Sequence, residues 1–413
     1  MKFSVDRDAL AEAVSWVARA LPARPVVPLL SGLLVRAGQE QGDGPHGSGW
    51  LTLACFDYEV SARMRLPAEV SEPGTFLVPG RLLLEIVRSL PGYPVEFADD
   101  PDGVSVSCGE AAFALATLPL GEYPELPELP HLSGTVDGAE FASAIGQVTP
   151  SASKDDTLPM LTAVNLELDA ATMTLAATDR YRLAVRDLTW NPVPGGGGEG
   201  RAALLVPAKT LGDAARMMAH DSEVRIMLRT GADGAGATAP DLAGPAATDA
   251  MIGFESGERR LTTRLLAGEF VKYRSRFPEE FGCTADLPAE AFAEAVRRVA
   301  LVAERGTPVQ LSFSQDQVTI GAGTQGQARA RETVPAEFTG DEPSIAFSPH
   351  YLLDGVLAAM SAAAEETAAE RARTDEGRVR LQFTSASKPA VITPSSGTGP
   401  RFRYLVVPQR VSR

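Results

Sequence analysis

Residues Phe141–Thr149 read FASAIGQVT, and the same pattern stands at Leu10–Ala18 (LAEAVSWVA) and at Phe292–Ala300 (FAEAVRRVA). Each copy runs Leu or Phe, Ala, a variable residue, Ala, Val or Ile, two variable residues, Val, then Ala or Thr. The copies begin 131 and 151 residues apart, a domain-sized period rather than that of a solenoid. Apolar residues at offsets 0, 1, 4 and 7 predict an amphipathic helix in every copy.

A second element recurs in step with the first. LVPGRLLLEIVRSL ends at Leu90, LVPAKTLGDAARMM at Met218 and AFSPHYLLDGVLAAM at Met360. In each, a strand-like run meets a proline and a helix begins, because the N–H that proline lacks has no partner in a first turn. Between the helices lie the β-rich runs LTLACFDYEVSARMRL, MTLAATDRYRLAVRDL and VQLSFSQDQVTIGAG. The chain thus reads as three tandem α+β units, each helix, strands, helix, strands, over residues 1–127, 128–280 and 281–413. Proline-containing segments, Gly121–Gly134 and Tyr273–Ala285, join them. Glycine-rich or low-complexity stretches at 38–49, 194–200, 230–250 and 362–377 are expected to be loops, with the last able to extend a helix.

Composition narrows the function. A chain of 413 residues with net charge −15, 44% hydrophobic residues and mean hydropathy −0.03 fits a multi-domain soluble protein. No apolar run reaches the length of a membrane span, and MKFSVDRDALAEAV lacks the apolar core of a signal peptide, so the expected location is cytoplasmic with no membrane partner. Cys55, Cys108 and Cys283 form no C-x-x-C pair and read as buried, inert thiols. His46, His131, His220 and His350 have no metal-ligand spacing, and no metal or cofactor is implied. Nucleophile elbows and phosphate loops are absent from the sequence, which speaks against an enzyme. Asp155–Asp156 and Asp99–Asp100–Asp102 stand in turn contexts where aspartates are usually solvated.

ATDRYRLAVR, Ala177–Arg186, places arginines and an aromatic in an alternating run, the pattern of a strand with two different faces. Catalysis, nucleic-acid contact and partner docking are each compatible with it.

Taken together, the three-fold repeat, MKFSVDRDALAEAV, ARPVVPLLSGLL, EYPELP, DDTLPMLTAVNLEL, ATDRYRLAV and the closing YLVVPQR resemble the bacterial sliding clamp, the β subunit of DNA polymerase III, in its actinobacterial form. The resemblance spans essentially the whole chain. It implies a head-to-tail homodimeric ring with helices lining a hole and sheets outside. Such a ring encircles double-stranded DNA without sequence preference, tethers the replicative DNA polymerase, is placed by a clamp loader, and catalyses nothing itself. Other cleft-binding repair proteins share the docking site.

Matched residue by residue, the resemblance assigns a peptide-binding cleft to Leu161, Thr178, Arg180, Tyr181, Arg182, Leu183, Val271, Ser275, Arg276, Ser348, Tyr351, Val407, Pro408, Gln409 and Arg410. It assigns DNA contact to Arg24, Lys209 and Arg216, and a dimer contact to Phe113 and Leu301. The sequence itself adds Arg81, Arg88, Arg297 and Arg298 to the DNA-facing set, with Arg19 nearby. Arg81 and Arg88 are seven apart, as are Lys209 and Arg216, so each pair leaves one helix face. Sparse contacts to phosphates suit a ring that must slide.

Val271 stands where the family usually has proline, Gln409 where an apolar residue is usual, and Ser348 where Asn is common. Gln409 is expected to put an amide on an apolar wall. A paralogous clamp with a cleft retuned to tolerate a peptide antibiotic is therefore an alternative, and a repeat scaffold that binds proteins without encircling DNA is another.

Overall fold

The computed structural model describes residues 1–39, 48–194, 202–229, 250–304, 306–323, 328–341, 344–370, 377–395 and 401–410. All six expected helices are present: α1 (Arg7–Ala18), α2 (Gly80–Ser89), α3 (Gly138–Val148), α4 (Ala208–Met218), α5 (Ala289–Ala300) and α6 (Pro349–Glu370). The glycine-rich stretches expected as loops lie largely outside the described residues, at 40–47 (with His46), 195–201 and 230–249. The low-complexity run after Met360 continues as helix to Glu370, and 371–376 again lies outside the described residues.

The buried stripe of the repeat differs from its expected offsets. Leu10, Ala13, Val14 and Val17 are buried in α1, Phe141, Ala144, Ile145 and Val148 in α3, and Phe292, Ala295, Val296 and Val299 in α5. The stripe is therefore 0, 3, 4 and 7, the spacing that 3.6 residues per turn places on one face. The offset-1 alanine is only half-buried in α1 and α3. Burying each large member contributes about 1.5–3 kcal/mol. That outweighs capping, worth about 1 kcal/mol, and it explains why α2, α4 and α5 form with no side-chain cap. Asp6 and Asp137 cap α1 and α3 through backbone N–H groups of Asp8, Ala9 and Glu140. Pro79 and Pro207 sit at the N-cap of α2 and α4, while Pro349 is the first residue of α6.

Each unit carries one strand more than the sequence pattern predicts, placed just before its first helix: Lys2–Val5, His131–Asp137 and Cys283–Pro288. These runs are too short to declare a period, and two of them form the far ends of the proline-containing joining segments. The common order is strand, helix, strands, helix, three strands. The helices pack in pairs, α1 with α2, α3 with α4 and α5 with α6, and α1, α3 and α5 also lie on sheet.

Sheets cross the unit boundaries. The last strand of unit two, Arg259–Arg264, pairs antiparallel with Val60–Glu72 of unit one. The last strand of unit three, Phe402–Val406, pairs antiparallel with Arg182–Thr189 of unit two. The registers match: Leu261 faces Ala62 as Tyr404 faces Ala184. Two strands of the same kind are left with one neighbour each among the described residues, Ala111–Leu115 of unit one and Arg329–Pro335 of unit three.

Gly355 lets α6 approach the junction strand, since a Cβ there would stand 2.4 Å from the Tyr404 ring. The Tyr404 hydroxyl donates to the Tyr351 carbonyl at 2.8 Å. Gly355→Ala is expected to cost about 1–3 kcal/mol through overpacking, seen as a lowered unit-three melting transition; an unchanged transition would show that α6 is free to shift.

Candidate docking cleft and nucleic-acid-facing helices

ATDRYRLAVR is not one strand. Strand Thr172–Thr178 ends, the chain turns through Asp179, Arg180 and Tyr181, and strand Arg182–Thr189 returns antiparallel with Leu183 opposite Thr178. The cause is local. The Asp179 carboxylate accepts from the backbone N–H groups of Tyr181 and Arg182, both at 3.0 Å. Arg180 adopts φ +81°, the left-handed region that few residues other than glycine enter. The same turn stands in unit one, where Asp57 accepts from Glu59 and Val60 and Tyr58 has φ +74°. Alternation alone could not reveal it, because a tight hairpin keeps the apolar-polar rhythm on both sides of the turn.

Arg182 ties the turn to unit three. Its side chain is 8% exposed, its Nε donates to Asp179 at 2.9 Å, and its Nη1 donates to Asp354 on α6. The guanidinium carbon lies 4.5 Å from the centre of the Tyr351 ring, a cation–π contact. Tyr181, exposed, stacks on the other aromatic of the pair, with Tyr351 at 6.2 Å and 15° between planes.

Beside this clamp opens an apolar cavity of about 330 Å³. Eight of the residues assigned to the cleft line it: Leu161, Thr178, Arg180, Arg182, Leu183, Val271, Arg276 and Val407. Three further wall residues, Tyr273, Pro389 and Leu405, went unrecognised in the sequence. Leu405 had a signal, since it precedes Val407 by two in the tail strand and so shares its face. Pro389 had none, because it arrives from a loop of unit three. Burial pushes the Tyr273 phenol above its ordinary range, so the hydroxyl stays neutral in this wall.

The remaining assigned residues lie around the cavity rather than in it. Ser275 is exposed on a short turn, its hydroxyl reaching the Lys272 carbonyl at 3.4 Å. Ser348 is buried and its hydroxyl pairs with His350 Nδ1 at 2.8 Å. The tail extends the junction sheet as the Val407 N–H donates to the Tyr181 carbonyl at 2.9 Å, and beyond Pro408 the Gln409 N–H donates to the Ala346 carbonyl at 2.7 Å. Gln409 and Arg410 line a different groove, over the outer face of the four-stranded sheet of unit three. Gln409 therefore does not place its amide on the wall of the apolar cavity. Backbone pairing with Ala346 carries it past the opening.

The basic residues assigned to the DNA-facing set are exposed. Lys209 and Arg216 leave α4, with Arg216 paired to Asp213, and Arg88 stands in the last turn of α2. Arg81 on α2 reaches the Pro22 carbonyl at 3.5 Å, which brings it beside the loop that carries Arg24. Arg19 is the C-cap of α1. On α5, Arg297 is exposed without a carboxylate partner among the described residues, whereas Glu332 and Glu294 hold Arg298, which is less free to meet a phosphate. Phe113 is 36% exposed on the edge strand Ala111–Leu115, and Leu301, the C-cap of α5, is 84% exposed.

The three thiols are free and buried, and burial pushes Cys55 up to about 12. Asp155 serves a turn, accepting from the Thr157 N–H and hydroxyl, and Asp100 does the same for Asp102. Among the described residues no cluster of His, Cys, Asp or Glu could hold a metal, and no helix is long and apolar enough to cross a membrane.

These features define a protein of three duplicated α+β units, sheets continuous between them, with an apolar cleft where the second and third meet. Family models for the N-terminal, central and C-terminal domains of the DNA polymerase III beta subunit match residues 1–127, 135–272 and 274–370, and the chain belongs to that family. It is 44% identical over 416 residues to the beta sliding clamp of Streptomyces coelicolor, covering 100% of both chains. The beta sliding clamp homolog GriR of Streptomyces muensis is 39% identical over 417 residues, again covering 100% of both. The fold matches the crystal structure of the DNA polymerase sliding clamp from Bacillus subtilis with a TM-score of 0.83 at 23% identity, covering 100% of both chains.

Replacing Asp179 with Ala removes the side-chain acceptor of two backbone N–H groups and the inner partner of Arg182 at once. The expected loss is about 2–4 kcal/mol of stability, with faster hydrogen exchange at the Tyr181 and Arg182 amides; exchange at the wild-type rate would mean the turn is held by something else.

Proposed function

We propose that this chain is a DNA polymerase processivity clamp: two copies join head to tail into a ring that encircles duplex DNA and holds polymerase by a peptide inserted between units two and three. One observation carries the reading. The same antiparallel junction forms twice within the chain and leaves its two halves, Ala111–Leu115 and Arg329–Pro335, each with one open edge among the described residues. Unpaired edges are aggregation hazards unless covered. Two further junctions between two copies, added to the four within them, would cover both edges and close six units into a ring, with units bounded at 1–127, 128–280 and 281–413. Phe113 and Leu301 would then meet across the new junction.

The ring acts by topology and needs no catalytic group of its own. Arg24, Arg81, Arg88, Lys209, Arg216 and Arg297 would touch phosphates weakly, which favours sliding over tight binding. In the cleft, Leu161, Leu183, Leu405 and Val407 would seat a Leu or Phe side chain of the incoming peptide, and Val271 and Tyr273 would form its rim. The clamp loader and repair proteins would compete for that one seat, which calls for affinities of about micromolar strength. The site of action is the cytoplasm, where the chromosome lies.

A retuned cleft then rests on Val271, which is 39% exposed at the cavity, and on the buried Ser348. Gln409 lines the groove over the sheet of unit three, which does not support a retuned apolar wall. The identity to the Streptomyces coelicolor clamp, above that to the GriR homolog, favours an ordinary clamp.

Three outcomes are expected. The protein, loaded on nicked circular DNA, stays bound and is lost when the circle is cut, as gel filtration would show; retention on linear DNA would favour the non-encircling scaffold. Phe113→Glu exposes a charge at the junction and shifts the sedimentation coefficient toward a single chain; a stable dimer in this variant would place the contact elsewhere. Leu183→Lys weakens a Leu- and Phe-bearing polymerase peptide by about tenfold or more, whereas Val271→Pro leaves its affinity unchanged in an ordinary clamp and tightens it in a retuned one.

A further inference from the structure

The sheets of units one and two pair their strands in the same order and register, yet their outer faces differ in charge. In unit two, Glu167, Thr174 and Asp187 stand side by side across three strands. There Arg274 pairs with Glu167 at 2.5 Å, Arg403 approaches Asp187 at 3.8 Å, and Thr174 donates to Asp187 at 2.6 Å. The face is neutralised from within.

In unit one the matching row is Arg36, Thr52 and Arg65. Val185 of unit two becomes Arg63, which stands directly opposite Arg260 on the junction strand, as Val185 stands opposite Arg403. Like charges directly opposed across strands are destabilising, and here four guanidiniums line one cavity of about 340 Å³. Arg260 has a carboxylate, Glu255, at 2.6 Å. Arg36 and Arg63 have none among the described residues, and Glu258 at the rim is exposed. Burial, and then the charges of Arg260 and Arg36, push the Arg63 guanidinium below its ordinary value. Such a cluster in a chain of net charge −15 is held at a cost that an anion would offset.

We infer that this cavity, on the outer face where units one and two meet, is a docking site for an acidic segment of a partner protein. Three features favour peptide carboxylates. Arg65 lies 4.0 Å over the Trp50 ring, covering the aromatic face on which a nucleotide base would stack. Leu34, Ala54 and Leu126 supply apolar wall between the guanidiniums, suited to the carbon stems of glutamate. The row also faces away from the buried Leu33, Val35 and Ala37, so a duplex held by the helices would not reach it. The planar fork of arginine matches a carboxylate with two bonds. This site is separate from the apolar cleft, and its occupancy does not depend on ring formation.

The test uses full-length protein and fluorescein-labelled hexaglutamate, with hexaglutamine and oligothymidylate as competitors, read by fluorescence anisotropy. Hexaglutamate should bind, hexaglutamine should not compete, and rising salt should weaken the complex. Arg36→Glu and Arg63→Val, which install the unit-two residues, should each weaken binding about tenfold; the exposed Arg36→Gln serves should either variant fold poorly. Equal binding by wild type and Arg36→Gln, competition by hexaglutamine, or displacement by oligothymidylate at lower concentration than hexaglutamate would each overturn the assignment.

Discussion

Backbone hydrogen bonding across unit boundaries is the constraint from which the rest of this molecule follows. A strand that ends one unit must find a neighbour, because its outward N–H and C=O groups form a ready template. Unit one receives Arg259–Arg264 and unit two receives Phe402–Val406 in matching register. The helices are then carried along: once sheets are continuous, the three helix pairs lie in fixed succession.

The cleft is a by-product of one such junction. The strand that unit three donates brings Leu405 and Val407 against Leu183, while α6 brings Asp354 and Tyr351 to Arg182. Arg182 is thus a structural bolt as well as a wall. A side chain held by two carboxylates and an aromatic ring cannot fold into the cavity, so the opening persists without a ligand. The left-handed Arg180 serves the same end by keeping the turn tight.

Duplication also set up a charge asymmetry. Units one and two share a turn, a register and a junction, and yet the outer face of unit two balances its arginines with Glu167 and Asp187 while that of unit one does not. Identical backbones with different side-chain chemistry are how a repeated module acquires distinct surfaces. Residues on the solvent side of a sheet are free to diverge because register is set by the buried side.

The sequence by itself determined the number of units, the six helices and the prolines at their starts, since a 3.6-residue stripe recurring at domain-sized intervals is a local signal that any window reports. It also led to most of the cavity wall, through residues of the DRYRL run and the tail. It did not reveal the hairpin at Asp179, the extra strand before each first helix, the part that Pro389 plays, or the pairing of Gln409 with Ala346. Those features were decided by the tertiary structure, because each depends on hydrogen bonds or contacts between segments far apart in the chain. A strand of four to seven residues gains its identity only from the neighbour it pairs with, and a wall residue only from the wall opposite.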